Sequence, residues 1–143
     1  AKDFLIKEKN SILYKQTFLD NWESNIYNSM NLLNSHVINY QKQKLTISGY
    51  GAPTKITLLM ELSKLNENNI EFILEDNPLK VGKYLPISAI PILSINELKK
   101  KKPDIIILFA WNFADDIINK LKGLVSWKLK CIIPLPNYRE VNL

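Results

Sequence analysis

The sequence predicts an α/β fold: a Rossmann-like three-layer domain with a mostly parallel sheet of about five strands, preceded by a long amphipathic helix. Two observations support this prediction. From Leu45 onward, short apolar segments alternate with helical patterns, as they do in βαβ units. In addition, segments 105–110 and 131–135 lack polar alternation, which is typical of parallel strands covered on both faces.

The long helix is predicted from a stripe of large apolar residues that recur at steps of four or three. The stripe consists of Phe18, Trp22, Ile26, Met30, Leu33, Val37 and Tyr40. It is expected to face the core or a neighbouring domain. Strands are predicted near 45–48, 70–75, 90–93, 104–110 and 129–135, and helices near 54–65, 94–101 and 112–121. Ser94 and Glu97 form a capping box at the start of one of these helices.

Length and composition indicate one soluble domain. The chain has 143 residues, of which 46% are hydrophobic and 23% are charged, and this is enough for a core that folds alone. Residues 1–16 lack an initial Met and alternate apolar groups with lysines, so we expect a linker from a missing upstream part there and the domain at 17–143. No apolar stretch approaches the ~20 residues of a transmembrane helix, and no signal peptide is visible. We therefore expect no membrane contact and a cytoplasmic location.

The formal charge of +5 does not predict nucleic-acid binding. All of the 19 basic residues except Arg139 are lysines, whereas base recognition and bidentate phosphate contacts favour arginine. The densest basic run, 99–102, falls at a predicted helix end, where lysines complement the helix dipole. Cys131 and His36 each occur once, so no disulfide framework and no Cys/His zinc site are expected. Cys131 is interpreted as a buried small hydrophobe and His36 as an ordinary boundary residue.

The turn after the first predicted strand is the main candidate for ligand binding. It contains Gly49, Tyr50, Gly51, Ala52 and Lys55. Glycines permit a tight turn and let backbone N–H groups approach an anion, and the lysine supplies a positive charge for a phosphate. A dinucleotide-binding fingerprint needs a third glycine where Thr54 stands. A tight strand–helix turn with a solvated lysine explains the same spacing equally well.

Two further turns are expected at the same carboxyl edge of the sheet, where open α/β proteins bind ligands. Asp76 ends the second predicted strand and is either a ribose-binding acid or a turn starter. Lys80 and Lys83 follow it and add positive charge. Asn112, after the fourth strand, either contacts a ligand or caps a helix, and capping is favoured. Trp111 either stacks on a ligand or covers the core.

Six blocks of the sequence occur in an order that resembles a known family. They are Gly49-Tyr50-Gly51-Ala52-Pro53-Thr54-Lys55, Asp76-x-x-Pro78-x-Lys80-x-Gly82-Lys83-Tyr84-x-Pro86, Ile90-Pro91-Ile92, Pro103-Asp104, Trp111-Asn112-Phe113-Ala114 and Ile133-Pro134-Leu135-Pro136. Together they resemble the carboxy-terminal domain of the S-adenosylmethionine-dependent sugar C-methyltransferases. Two positions depart from the family pattern. Ile56 stands where the family usually has glycine, and Pro86-Ile87-Ser88 stands where it has Pro-Gly-Thr.

The resemblance implies a domain that helps to hold a nucleotide-linked keto-sugar, with S-adenosylmethionine bound mainly by a domain absent from this chain. It implies upstream methyl-donor and zinc domains as partners, and the chain alone is expected to be inactive, with no catalytic residue assigned. The expected substrate-binding residues are Gly49, Tyr50, Gly51, Ala52, Lys55, Lys80, Lys83 and Asn112. Two alternatives stay open. One is a nicotinamide-dependent oxidoreductase domain, against which Thr54 counts, and the other is a non-catalytic interaction module that docks through its long helix.

Overall fold

The computed structural model describes residues 16–143. Its helices are α1 (Gln16–Lys42), α2 (Ile56–Leu62), α3 (Leu98–Lys101) and α4 (Ala114–Lys122). Its strands are β1 (Ile47–Tyr50), β2 (Ile73–Glu75), β3 (Ile92–Ser94), β4 (Ile105–Leu108), β5 (Lys130–Ile133) and β6 (Arg139–Asn142). Two 3-10 turns, Ile95–Glu97 and Trp111–Phe113, precede α3 and α4. The linker predicted at 1–16 lies outside the described residues, except for Gln16, with which α1 begins.

The strands form one sheet in the order β3-β2-β1-β4-β5-β6. The first five are parallel, which confirms the predicted α/β fold, and β6 runs antiparallel to β5 with Val141 opposite Cys131. The sequence prediction lacks β6. Its residues are exposed or half-buried, as expected for an edge strand, so it has no continuous apolar run to reveal it.

Helices cover both faces of the sheet, in three layers. On one face, Met30 and Val37 of α1 pack in a core that includes Ile107. On the other face, Leu98 of α3 belongs to a second core that includes Ile106. Neighbouring β4 residues therefore point into opposite cores, as the two-residue period of a strand requires.

The apolar stripe of α1 is buried along only part of its length. Met30, Leu33 and Val37 are fully buried and Ile26 is half-buried against the core, which confirms their predicted core position. Trp22, by contrast, is 58% exposed. The first turns of α1 thus leave large apolar side chains in solvent.

Two helix starts differ from their predicted form. Ser94 does cap, but its Oγ accepts a hydrogen bond from the Asn96 N–H (3.2 Å) and opens a 3-10 turn before α3. The predicted cap at Asn112 is wrong. The 3-10 turn includes Asn112, so α4 begins only at Ala114, and Phe113 at the cap position makes no side-chain cap hydrogen bond. Asn112 is left exposed to solvent.

Candidate functional site

The turn after β1 meets the turn after β4 where the strand order reverses, which is where open α/β sheets form a crevice. Gly51 has a φ of +82°, and a Cβ there would lie 2.7 Å from the Ala110 Cβ. Both the conformation and the close approach therefore require glycine at this position. Gly49 is different, because it lies within β1 and a Cβ there would come within 2.8 Å of the Phe109 ring. Packing of the core alone accounts for Gly49.

Three backbone N–H groups of this turn are already hydrogen bonded. The Gly49 N–H donates to Phe72 O (2.9 Å) and the Gly51 N–H to Leu74 O (2.8 Å). The Ala52 N–H donates to a carboxylate oxygen of Glu75 (2.8 Å). The expectation that these three groups are open to a phosphate is therefore wrong. At these three positions, a ligand would have to be held by side chains instead.

Glu75, which the sequence analysis did not single out, organises the turn and the loop after β2. One carboxylate oxygen accepts the Ala52 N–H, and the other accepts the N–H groups of Asp76 (2.9 Å) and Asn77 (3.0 Å). Lys80 completes the connection, since its Nζ donates to Ala52 O (2.8 Å) and lies 3.8 Å from Glu75 Oε2. Lys80 therefore lies beside the turn, as predicted, and its side chain remains 41% exposed.

Lys55 and the residues after β4 also come together. The Lys55 Nζ lies 3.5 Å from the centre of the Trp111 ring, in a cation–π contact. Asn112 is the next residue and is exposed, while Trp111 packs against both cores and so serves as a lid for them. Lys83 is exposed in the loop after β2. The carboxyl edge thus carries Lys55 and Lys80 on two loops, whereas the Lys83 backbone bonds to Ile92 at the start of β3.

Tyr50 points to the opposite face of the sheet and is almost fully buried. Its hydroxyl donates to Asp76 Oδ2 (2.6 Å) and accepts from Lys120 Nζ (3.2 Å), while Lys120 also pairs with Asp76. Burial and the hydrogen bond to Asp76 raise the pKa of Tyr50, so the phenol stays protonated at neutral pH. Burial raises the pKa of Asp76, but the hydrogen bonds from Lys120 and Tyr50 outweigh it and the net pKa is lowered. This arrangement fixes α4 to the loop after β2. We assign no catalytic base to these residues.

A second polar cluster joins α1 to β6 around Glu140. The Glu140 Oε1 accepts from Tyr138 (2.6 Å) and Tyr40 (2.7 Å) and lies 2.9 Å from His36 Nδ1. The Oε2 accepts from Lys130 Nζ (2.7 Å). Burial raises the pKa of the Glu140 carboxyl, but the hydrogen bonds from these four neighbours lower it by more. The net pKa is therefore about 2, below the ordinary 4.5. His36 is thus half-buried at a boundary, as expected, but it is part of a structural network.

Two adjoining cavities lie between α2 and the segment that leads into β3. The smaller, about 190 Å³, begins at Ala52 and Lys80, and the larger, about 350 Å³, extends to Glu61 and Glu67. Both are lined by Thr57, Leu85 and Pro86. We call the two together the α2 groove.

The wall of the α2 groove includes a strained loop. Ile87 has a φ of +75° and its side chain is 94% exposed. A β-branched residue in this conformation is an outlier. Ala89, two residues on, has a φ of +50°. Ser88, between them, lines the larger cavity, and its buried hydroxyl has no hydrogen-bond partner in the described part of the chain.

Within residues 16–143, no group of three or more His, Cys, Asp or Glu side chains is placed to hold a metal ion. In the same range, no helix combines the length and the apolar character that crossing a bilayer requires.

Comparison with known proteins gives a family and two similar proteins. Residues 1–136 match the family model of the C-methyltransferase C-terminal domain. The chain is similar to the C-methyltransferase NovU of Streptomyces niveus, with 38% identity over 97 residues, or 68% of this chain and 23% of that protein. The chain thus spans less than a quarter of that relative. Among solved structures it is similar to UDP-D-quinovosamine 4-dehydrogenase from Vibrio fischeri, with a TM-score of 0.45 and 15% identity over 68% of this chain and 93% of that one.

Proposed function

Because the chain belongs to the family of C-methyltransferase C-terminal domains, we propose that it is the nucleotide-sugar-binding domain of an S-adenosylmethionine-dependent sugar C-methyltransferase. The reaction of the whole enzyme would transfer a methyl group to the carbon next to the keto group of a nucleotide-linked deoxysugar. The observation that carries the proposal is the placement of Lys55 and Lys80 on two loops at the carboxyl edge.

These lysines suit the diphosphate of such a ligand. A diphosphate presents several negative oxygens, and lysine ammonium groups neutralise phosphates as point charges. Lys80 is held by Ala52 O and Glu75, and Lys55 is held on the Trp111 ring, so both ammonium groups are positioned before a ligand arrives. Such preorganisation lowers the entropy lost on binding. Asn112 lies beside Trp111 as a neutral donor or acceptor for the same ligand.

The methyl donor does not fit the turn of this chain. Rossmann-type sites hold a cofactor through free N–H groups of the glycine turn and an acid after the second strand. Here the N–H groups of Gly51 and Ala52 are occupied, and Glu75 is the acceptor for Ala52. The same occupancy argues against a nicotinamide-dependent oxidoreductase. We therefore assign the donor, and the base, to a part of the enzyme outside this chain.

We further propose that upstream donor and zinc domains cover the first turns of α1. Leu19, Trp22 and Tyr27 are each between 42% and 58% exposed, and clustered apolar surface of this kind marks interfaces. The 97 matched residues cover 23% of NovU, so most of that relative lies outside the match. An interaction module would use the same surface, but it would not bind a nucleotide.

Titration of the ¹⁵N-labelled chain with UDP, TDP and GDP tests the proposal. At least one should shift the amide signals near Lys55 and Lys80. Lys55→Ala and Lys80→Ala should each weaken binding by about 1–3 kcal/mol, the range for a charged hydrogen bond, and added salt should weaken it further. Lys122→Ala is the control, because Lys122 is exposed at the far end of α4. Shifts confined to a different basic cavity, such as the one beside Lys99 and Lys102, would refute the assignment.

A further inference from the structure

We propose that the α2 groove holds the sugar end of the nucleotide-linked ligand, with its diphosphate at Lys80; this inference rests on the proposed function. The groove begins at the lysine that faces the glycine turn and continues away from it along α2. The groove therefore offers space for the group attached to the diphosphate, in the direction along α2.

The charges along the α2 groove set the orientation. The end at Ala52 carries Lys80, and the far end carries Glu61 and Glu67. A diphosphate is attracted to the first end and repelled from the second. The part of the ligand that enters the larger cavity must therefore be uncharged, and both the sugar and the nucleobase satisfy that condition.

The lining of the larger cavity favours a sugar over a base. Its lining combines apolar residues, among them Met60 and Leu85, with the polar residues Glu61 and Ser88. A carboxylate accepts hydrogen bonds from sugar hydroxyls, and a deoxysugar also has apolar faces and a methyl group that suit apolar walls. No aromatic ring lines this cavity to stack on a flat base. Its volume of about 350 Å³ lies within the range of small-molecule pockets.

Ser88 is the second observation that points to a ligand. Its buried hydroxyl has no partner within the described residues, although buried polar groups are nearly always hydrogen bonded. Movement of this loop would bring the hydroxyl to the cavity surface, where a sugar hydroxyl or keto oxygen would supply that partner. Ile87, next to it, is an exposed β-branched residue in a strained conformation, and such strain is concentrated at ligand clamps.

Matched ligands separate the two ends. The 143-residue chain is titrated with UDP, TDP and GDP and then with the corresponding glucose-linked diphosphates. Glu61→Gln and Ser88→Ala should weaken binding of the sugar-linked compound by about threefold to tenfold, the effect of one hydrogen bond, and should not weaken binding of the bare diphosphate. Glu71→Gln is the control, because Glu71 is an exposed carboxylate outside the groove lining.

The outcomes distinguish this inference from the proposed function. If both groove variants weaken the bare and the sugar-linked diphosphate equally, the groove holds the nucleoside and the inference is wrong. If neither variant changes either affinity while Lys55→Ala and Lys80→Ala still do, the sugar lies elsewhere and only the inference is overturned. If no bare diphosphate shifts the signals of the lysine loops, the proposed function itself fails.

Discussion

Replacement of Ile87 by glycine should stabilise the protein, although it removes a large apolar side chain. The Ile87 side chain is 94% exposed, so almost no apolar burial is lost. Its φ of +75° places a β-branched residue in a region that costs about 1–3 kcal/mol. Glycine relieves this strain but loses about 0.4–1 kcal/mol through greater freedom of the unfolded chain. The net stabilisation should be about 1 kcal/mol, or a rise in Tm of about 2–6 °C for a domain of this size.

Gly82 provides the matched control for this prediction. Its φ is +81°, and a Cβ at Gly82 would meet nothing within 4 Å. Gly82→Ala therefore isolates the cost of a side chain at positive φ, and it should destabilise by about 1 kcal/mol. Urea unfolding followed by circular dichroism measures both variants. A loss of stability in Ile87→Gly, or a gain there without a loss in Gly82→Ala, would show that backbone strain does not govern this loop.

Three further predictions concern the core and the polar cluster. Gly51→Ala should destabilise the protein by about 3 kcal/mol, more than Gly82→Ala, because the new Cβ would clash with Ala110 in addition to the backbone strain at φ +82°. Equal losses of stability for the two variants in urea unfolding would contradict this prediction. The carboxyl of Glu140 has a pKa of about 2, below its usual 4.5. Its ionised form therefore contributes about 2–3 kcal/mol to the free energy of unfolding above pH 5, and this contribution is lost as the pH falls toward 2. Glu140→Gln should remove that part of the pH dependence, and identical profiles for the two proteins would refute the assignment. Burial raises the pKa of Cys131 to about 12, so a thiol reagent should modify it only on unfolding, and rapid labelling of the folded chain would show otherwise.

Hydrophobic pattern was sufficient to predict the sheet and the place of its carboxyl edge. Strands buried on both faces carry unbroken apolar runs, and β4 shows this most clearly because all four of its residues are buried. β6 lacked such a run, yet Tyr138 and Glu140 stand two residues apart and bond to each other. That contact belongs to the folded structure and cannot be predicted from the sequence of the tail.

The contacts that shape the candidate site could not be predicted from local sequence. Glu75 bonds Ala52 across 23 positions, and Lys120 pairs with Asp76 across 44. Such pairs exist only once parallel strands bring distant turns to one edge, and no spacing rule encodes them. The glycine turn looked open to an anion for the same reason, since Glu75 is remote in sequence and its carboxylate occupies the Ala52 N–H.

The two departures from the family pattern have opposite physical consequences. Ile56 is 3% exposed and packs in the α1 face of the core, so its burial contributes about 1.5–3 kcal/mol to stability, and it also lines the smaller cavity of the α2 groove. Ile87 gains almost no burial and carries the strain of a positive φ. Packing stability therefore accounts for Ile56 and leaves Ile87 without an explanation inside the isolated domain. Contact with a ligand or a covering domain would bury the exposed Ile87 side chain beside the α2 groove. The free energy gained by that burial would offset the backbone strain.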